Sequence, residues 1–316
     1  MRDLRIVFMG TPEFAVPSLS ILVQNDCRVA GVITAPDKPS GRRQKLSASP
    51  VKNFCEENNL KILQPINLKN TAFIEELKSL KANLQVVVAF RMLPEIVWNM
   101  PEYGTFNLHA SLLPQYRGAA PINWAIIRGE KETGVTTFFL RHEIDTGSII
   151  FQEKEMITDN DTTGTLYERL KHKGAELVLK TVKVIAQNNY TLTIQNESQE
   201  LNSAPKISKN ICRIDWTLQC DDVYNFIRGL SPYPGAWTYW NGDTILKIFR
   251  VSKSDNSPSE TRNEKPGEIY TDNKSFVMVN TGSGWLNIEE LQLQGKKRMN
   301  VADFVRGNKI ISEFHD

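Results

Sequence analysis

The feature that most constrains this chain is the alternation that runs from Leu4 to Arg128. Short apolar runs with strand character, Leu4 to Met9, Val29 to Thr34, Lys61 to Leu63, Leu84 to Ala89 and Thr105 to His109, are separated by stretches with helical spacing. Those stretches are Phe14 to Gln24, Pro50 to Glu57, Ala72 to Leu80, Pro94 to Trp98 and Ala119 to Arg128. Strands that alternate with helices point to crossover units, and so to an α/β class with a Rossmann-like, doubly wound, mostly parallel sheet.

The turn after the first strand, Met9-Gly10-Thr11-Pro12-Glu13, holds one glycine where a dinucleotide fingerprint needs three. A tight strand-to-helix turn is expected there, and NAD is not. Farther on, Leu166, Leu170, Leu177, Val178, Val182 and Ile185 recur at helical spacing and read as core. From Asn188 to Asn210 the chain turns polar without sustained periodicity, which suggests a linker. The expected division is therefore a first domain over 1–188, a linker over 189–210 and a second domain over 211–316. The last part opens with Trp216 and a helical stretch near Asp222 to Arg228. Strand-like runs follow at Ala236 to Trp240, Thr244 to Val251, Ser275 to Asn280 and Trp285 to Gln292, a pattern that fits a small β-barrel.

A length of 316 residues with 41% hydrophobic content supports two domains with a buried core. The formal net charge of +2 excludes a uniformly basic coat, so a polyanion site would have to be local. The cysteines, Cys27, Cys55, Cys212 and Cys220, show no metal-ligand spacing with the histidines and read as reduced core thiols; no metal is expected. The apolar run Ile6 to Met9 is too short for a signal peptide, and no run approaches the roughly 18 residues of a membrane helix. A cytoplasmic protein without a membrane partner, acting as a monomer, is the expectation.

Chemistry is concentrated in Gly104 to Arg117. Strand alternation sends Phe106 and Leu108 one way and Asn107 and His109 the other. The strand stops at Ser111-Leu112-Leu113-Pro114, so the amide and the imidazole lie near its carboxyl end, where open α/β sheets keep their ligands. Alone, the pair could equally be a polar strand face turned to solvent. Another apolar strand, Val135 to Leu140, is followed by Asp145-Thr146-Gly147.

Asn107, His109, the Ser111 to Pro114 segment and Asp145-Thr146-Gly147 together resemble the folate-dependent formyltransferases, and the likeness extends over the whole chain. The start of the chain and the loop after Thr34 resemble the members of that family that act on tRNA. The resemblance implies catalytic roles for Asn107, His109 and Asp145, and 10-formyltetrahydrofolate as donor co-substrate. It further implies a pterin pocket made by Phe90, Arg91, Met92 and Leu93 with Ser111, Leu112, Leu113 and Pro114. Two positions differ from the usual pattern: Arg91 follows Phe90, and Glu143 stands two places before the aspartate, where relatives usually carry glycine.

The loop from Thr34 to Lys52 carries Lys38, Arg42, Arg43, Lys45 and Lys52 against the single acid Asp37, and it exceeds the usual length of a strand-to-helix connection. A solvated loop is the plain reading. The resemblance instead implies a tRNA-binding loop in which Arg42 matches an essential arginine, with Arg43 and Lys45 beside it. It also makes the second domain an OB-like barrel that binds tRNA, initiator methionyl-tRNA being the acceptor. Its basic surface would come from clusters such as Lys296-Lys297-Arg298 and Lys206, Lys209, Arg213. Two alternatives stay open: a formyltransferase or hydrolase acting on a small amine or water with the same donor, and a non-catalytic RNA-binding protein.

Overall fold

The computed structural model describes residues 1–40, 45–198, 200–240, 242–254, 265–308 and 314. The chain forms two compact units: Met1–Gly118 with Thr133–Met156 and Tyr167–Ser203, and Ala119–Glu132 with Ile157–Leu166 and Ala204–Asp316.

The first unit contains a seven-stranded sheet. Its strands are β1 Ile6–Gly10, β2 Val29–Ile33, β3 Ile62–Leu63, β4 Leu84–Val88, β5 Thr105–His109, β6 Glu132–Phe139 and β7 Ile149–Met156, in the spatial order β7-β6-β5-β4-β1-β2-β3. The run from β3 to β5 is parallel, and β6 joins β5 antiparallel. Ile6, Val7, Phe8 and Met9 are all wholly buried, so both faces of β1 are covered, as the continuous apolar run requires. Each such side chain contributes roughly 1.5–3 kcal/mol relative to exposure.

The helices α1 Val16–Gln24, α2 Pro50–Glu57, α3 Thr71–Ser79 and α4 Glu95–Trp98 supply connections between these strands. Ser49 and Asn70 cap α2 and α3 by accepting from the backbone N–H of Lys52 and Phe73. The chain runs outward through β2 and β3, then returns to place β4 on the other side of β1, so the sheet order reverses between β1 and β4. Gly10 ends β1 at that reversal. A Cβ there would lie 2.6 Å from the Cβ of Ala15 and 3.0 Å from the carbonyl of Val88, so the turn is tight for steric reasons.

Among the elements beyond the sequence reading are β7 and a hairpin of Lys38–Ser40 with Lys45–Ser47 inside the basic loop. The long helix α6, Thr163–Gln187, buries Leu166, Leu170, Leu177, Val178, Val182 and Ile185. Gly174 lets it close on β5, since a Cβ there would lie 2.7 Å from Leu108.

The second unit is built on a six-stranded sheet of Ala236–Trp240, Thr244–Ser254, Ile269–Thr271, Val277–Asn280, Trp285–Leu293 and Met299–Asn300, with antiparallel pairings. Its core gathers Trp216, Val223, Ile227, Leu246, Ile248, Leu286, Leu291 and Phe304. Val223 and Ile227 come from α7, Cys220–Gly229, at the i, i+4 spacing that shares one helix face.

Helix α5, Pro121–Ile127, also belongs here, with the Asn123 amide donating to the Gly229 carbonyl at 2.8 Å. The buried Arg228 guanidinium donates to the carbonyls of Thr158 and Asp161, at 3.2 and 2.9 Å. Through such bonds 119–132 and 157–166 group with the second unit, while 189–203 group with the first.

Candidate active site

β5 ends with Asn107 and His109 on one face. In register, Asn107 stands between Val87 of β4 and Phe138 of β6, and His109 is opposite Thr136. Asn107 is half-buried, and among the described residues its carboxamide has no hydrogen-bond partner, so its N–H groups are available to a ligand. His109 is buried, and its Nε2 lies 2.8 Å from the Tyr116 carbonyl. A carbonyl only accepts, so Nε2 carries the proton and Nδ1 is the position left for exchange.

Nδ1 faces the Asp145 carboxylate across 3.9 Å. That distance is too long for a hydrogen bond, so the carboxylate faces the ring without bonding to it. Asp145 Oδ2 accepts the Gly118 N–H at 3.1 Å. One short segment, Tyr116 to Gly118, thus holds both side chains, one by a carbonyl and one by an amide. Its path needs φ of +60° at Tyr116 and +126° at Gly118, and glycine meets the second without strain.

The segment after the strand is fixed by Thr136. Its hydroxyl donates to the Ser111 carbonyl at 2.6 Å and accepts from Leu113 N at 3.2 Å and from the Gln152 amide at 3.1 Å. Ser111 Oγ donates to the Gln115 carbonyl at 2.6 Å, and Leu113 packs on Phe138 and Ile149. Leu112 lies over Gly134, where a Cβ would come within 2.5 Å of it.

In the other expected folate segment, Phe90 and Leu93 pack into the apolar core while Met92 points outward, 73% exposed. The positive φ there falls at Ala89, +47°, so Arg91 needs no glycine's freedom; its guanidinium donates to the carbonyls of Ile66 and Pro65. Likewise the turn near Glu143 takes its positive φ, +56°, at Asp145.

Of the basic loop, Arg42 and Arg43 lie outside the described residues, and Lys45 begins the second strand of the hairpin. The loop's base is clasped. Thr34 Oγ1 lies 2.7 Å from Ser49 Oγ, and Lys52 Nζ donates to Asp37 at 2.6 Å, with Gln64 donating to the other carboxylate oxygen at 2.9 Å. The hydrogen bond from Lys52 holds the Asp37 carboxyl below the ordinary range, and the same bond raises Lys52. Lys52, counted among the loop's cations from the sequence, is therefore spent on structure.

The four cysteines are free thiols, each raised by burial, Cys55 to about 11. Among the described residues no group of three or more His, Cys, Asp or Glu is placed to hold a metal ion, and no helix is long and apolar enough to cross a membrane.

The sequence reading gave Tyr116 no role, took Gly118 as structural, and missed Gln195. Gly118 carried a weak signal, a glycine directly after a turn-rich segment. Gln195 carried none, because it stands in a polar stretch that reads as solvated.

A family model described as formyl transferase matches residues 4–182, and one described as formyl transferase, C-terminal domain, matches residues 206–309. A methionyl-tRNA formyltransferase from Parabacteroides distasonis is 53% identical over 321 aligned residues, covering 99% of this chain and 98% of that one. The protein of the same name from Phocaeicola vulgatus is 54% identical, covering 97% and 96%. Among solved structures, HypX from Aquifex aeolicus in complex with tetrahydrofolic acid superposes with a TM-score of 0.64 at 19% identity, covering 96% of this chain and 47% of that one. WlaRD, a sugar 3N-formyl transferase in the presence of dTDP and 5-N-formyl-THF, gives 0.63 at 23% identity, covering 94% and 100%. At such identities these two show a shared fold.

Proposed function

The chain belongs to the formyl transferase family, and we propose that it moves the formyl group of 10-formyltetrahydrofolate onto the amino group of initiator methionyl-tRNA. Relatives bearing the methionyl-tRNA formyltransferase name match it at about half identity over nearly its whole length. The observation that carries the reading is the Asn107 carboxamide, unpartnered among the described residues, on the same strand face as His109, whose Nδ1 faces Asp145.

The reaction is acyl transfer. The acceptor amine attacks the formyl carbon, a nitrogen–carbon bond forms, and the carbonyl electron pair moves to oxygen; collapse of the intermediate breaks the carbon–N10 bond. The amine gives up one proton and N10 takes one, so a proton must be carried. Asn107 donates N–H to the developing oxyanion, in a site where such bonds are strong. His109 holds Nε2–H on Tyr116 and uses Nδ1, as acceptor when neutral and as donor when charged. Asp145, 3.9 Å from Nδ1, aids proton movement there. Donor binding falls to Phe90 to Leu93 and Ser111 to Pro114.

The tRNA would be held by Arg42, Arg43 and Lys45 and by the second domain, 211–316, with linker residues beside it. In that unit a cavity of about 720 Å³ is lined by Lys206, Lys209, Lys247, Tyr233 and Trp237, cations and rings suited to a polyanion with bases.

The test is incubation with 10-formyltetrahydrofolate and charged initiator tRNA, beside charged elongator tRNA and a sugar-nucleotide amine. Formylation of the initiator tRNA with the highest kcat/KM is expected. Preferred transfer to the small amine, or release of formate to water alone, would overturn it.

Arg42→Ala and Arg42→Lys should fold and bind folate as wild type, because in either sequence reading of the loop its cations serve solvent or tRNA and not the core. Both should lose much of kcat/KM for charged tRNA, Lys less than Ala, because lysine restores charge without the planar fork. Arg43→Ala should be milder. Wild-type kinetics in both Arg42 variants would return the loop to a solvated role.

A further inference from the structure

The polar stretch after Asn188 crosses the catalytic turn. Thr193 bridges to Ile149 in antiparallel fashion, the backbone N–H of each donating to the other. Two residues on, the Gln195 side chain is buried at 7% exposure, a burial that a glutamine in a mere connector would not have. Its Nε2 donates to the carbonyls of Asp145 and Gly147, at 2.7 and 2.8 Å, and its Oε1 accepts two bonds from Arg117, at 3.1 Å from Nε and 2.7 Å from Nη2. Glu197 pairs with the same guanidinium at 2.8 Å. Tyr116, whose carbonyl holds His109, in turn donates its N–H to the Asn202 carbonyl at 2.6 Å.

We propose that Gln195 is a positioning residue for formyl transfer: through its bonds to the turn and to Arg117 it sets the Asp145 carboxylate against His109. The proposal rests on the reading of Asn107, His109 and Asp145 as the catalytic groups. The left-handed φ of +56° at Asp145 disfavours that backbone for a non-glycine residue, so the turn persists because partners hold it. Both of Gln195's donor bonds go to this turn. Arg117 sits beside Gly118, whose N–H bonds the carboxylate, so one amide links the backbone and the side-chain ends of Asp145's placement.

The test uses the full chain with Gln195→Glu and Gln195→Met, each alone and combined with Asp145→Asn. Glutamate keeps the size and the acceptor for Arg117 but cannot donate to the two carbonyls; methionine keeps only the size. Both single variants should lose about tenfold or more in kcat, as a 1 Å misplacement can cost about a hundredfold, with KM for donor and tRNA within about twofold. Their pH–rate profiles should shift in the direction that Asp145→Asn shifts it. In the Asp145→Asn background either change should add little, since residues that act through one another are not additive. Wild-type kcat and profile in the single variants with only a lowered Tm, or losses that multiply fully with Asp145→Asn, would overturn the proposal. Full activity of Asp145→Asn itself would instead overturn the catalytic reading on which it rests, and that result is distinguishable because it needs no change at Gln195.

Discussion

Asn107→Ala and His109→Ala should each lower kcat by about a hundredfold or more, with tRNA affinity little changed. In the proposed mechanism the two groups act on charge that exists only in the tetrahedral transition state, where removing one oxyanion donor costs roughly 2.7–4 kcal/mol of barrier. The structure lets activity be separated from stability. Asn107 is half-buried and makes no hydrogen bond among the described residues, so its truncation leaves no donor or acceptor orphaned and should barely move Tm. His109 is buried and bonded to the Tyr116 carbonyl, and its loss removes that hydrogen bond and the packing of the ring, at about 1–3 kcal/mol. Measured side by side, the two variants should show similar kcat losses and unequal Tm losses. Near-wild-type turnover in either would remove that residue from the mechanism.

Gly147→Ala should be the most disruptive single-methyl change near the site. A Cβ at this position would lie 1.6 Å from the Phe139 carbonyl oxygen and 2.8 Å from its carbon. Both are backbone atoms of β6, which is paired along β5, so they cannot swing aside as a side-chain end could. The turn itself must move, by more than 1 Å on any geometry that restores van der Waals contact. Two things tie it in place: the Phe139 N–H bond to the Ser148 carbonyl at 3.0 Å and the Gln195 bond to the Gly147 carbonyl. We expect a loss of about 3 kcal/mol or more and a Tm lower by roughly 5 °C or more, with kcat lowered as Asp145 leaves its position. A variant that melts and turns over as wild type would mean that this turn is freer than its packing implies.

What the sequence determined by itself was whatever is local. The succession of strands and helices was legible because apolar runs and helical spacing record burial over neighbouring residues. The shared face of Asn107 and His109 followed from the two-residue strand period alone. Even so, the fold placed helix α5 and residues 157–166 with the second unit, because the partners of Asn123 and Arg228 lie far along the chain and leave no local pattern.

The geometry of the candidate site was decided only by tertiary structure. Which ring nitrogen of His109 is free depends on a carbonyl seven residues away whose direction is set by a left-handed Tyr116. Asp145 reaches that ring only because β6 pairs antiparallel to β5. Lys52 and Gln195 make the same point with opposite outcomes: a loop cation proved to be paired to Asp37, and a residue of an apparent linker proved to be buried against the turn that carries Asp145. A polar side chain reads alike in sequence whether water or a distant backbone carbonyl satisfies it, and only the folded chain decides between them.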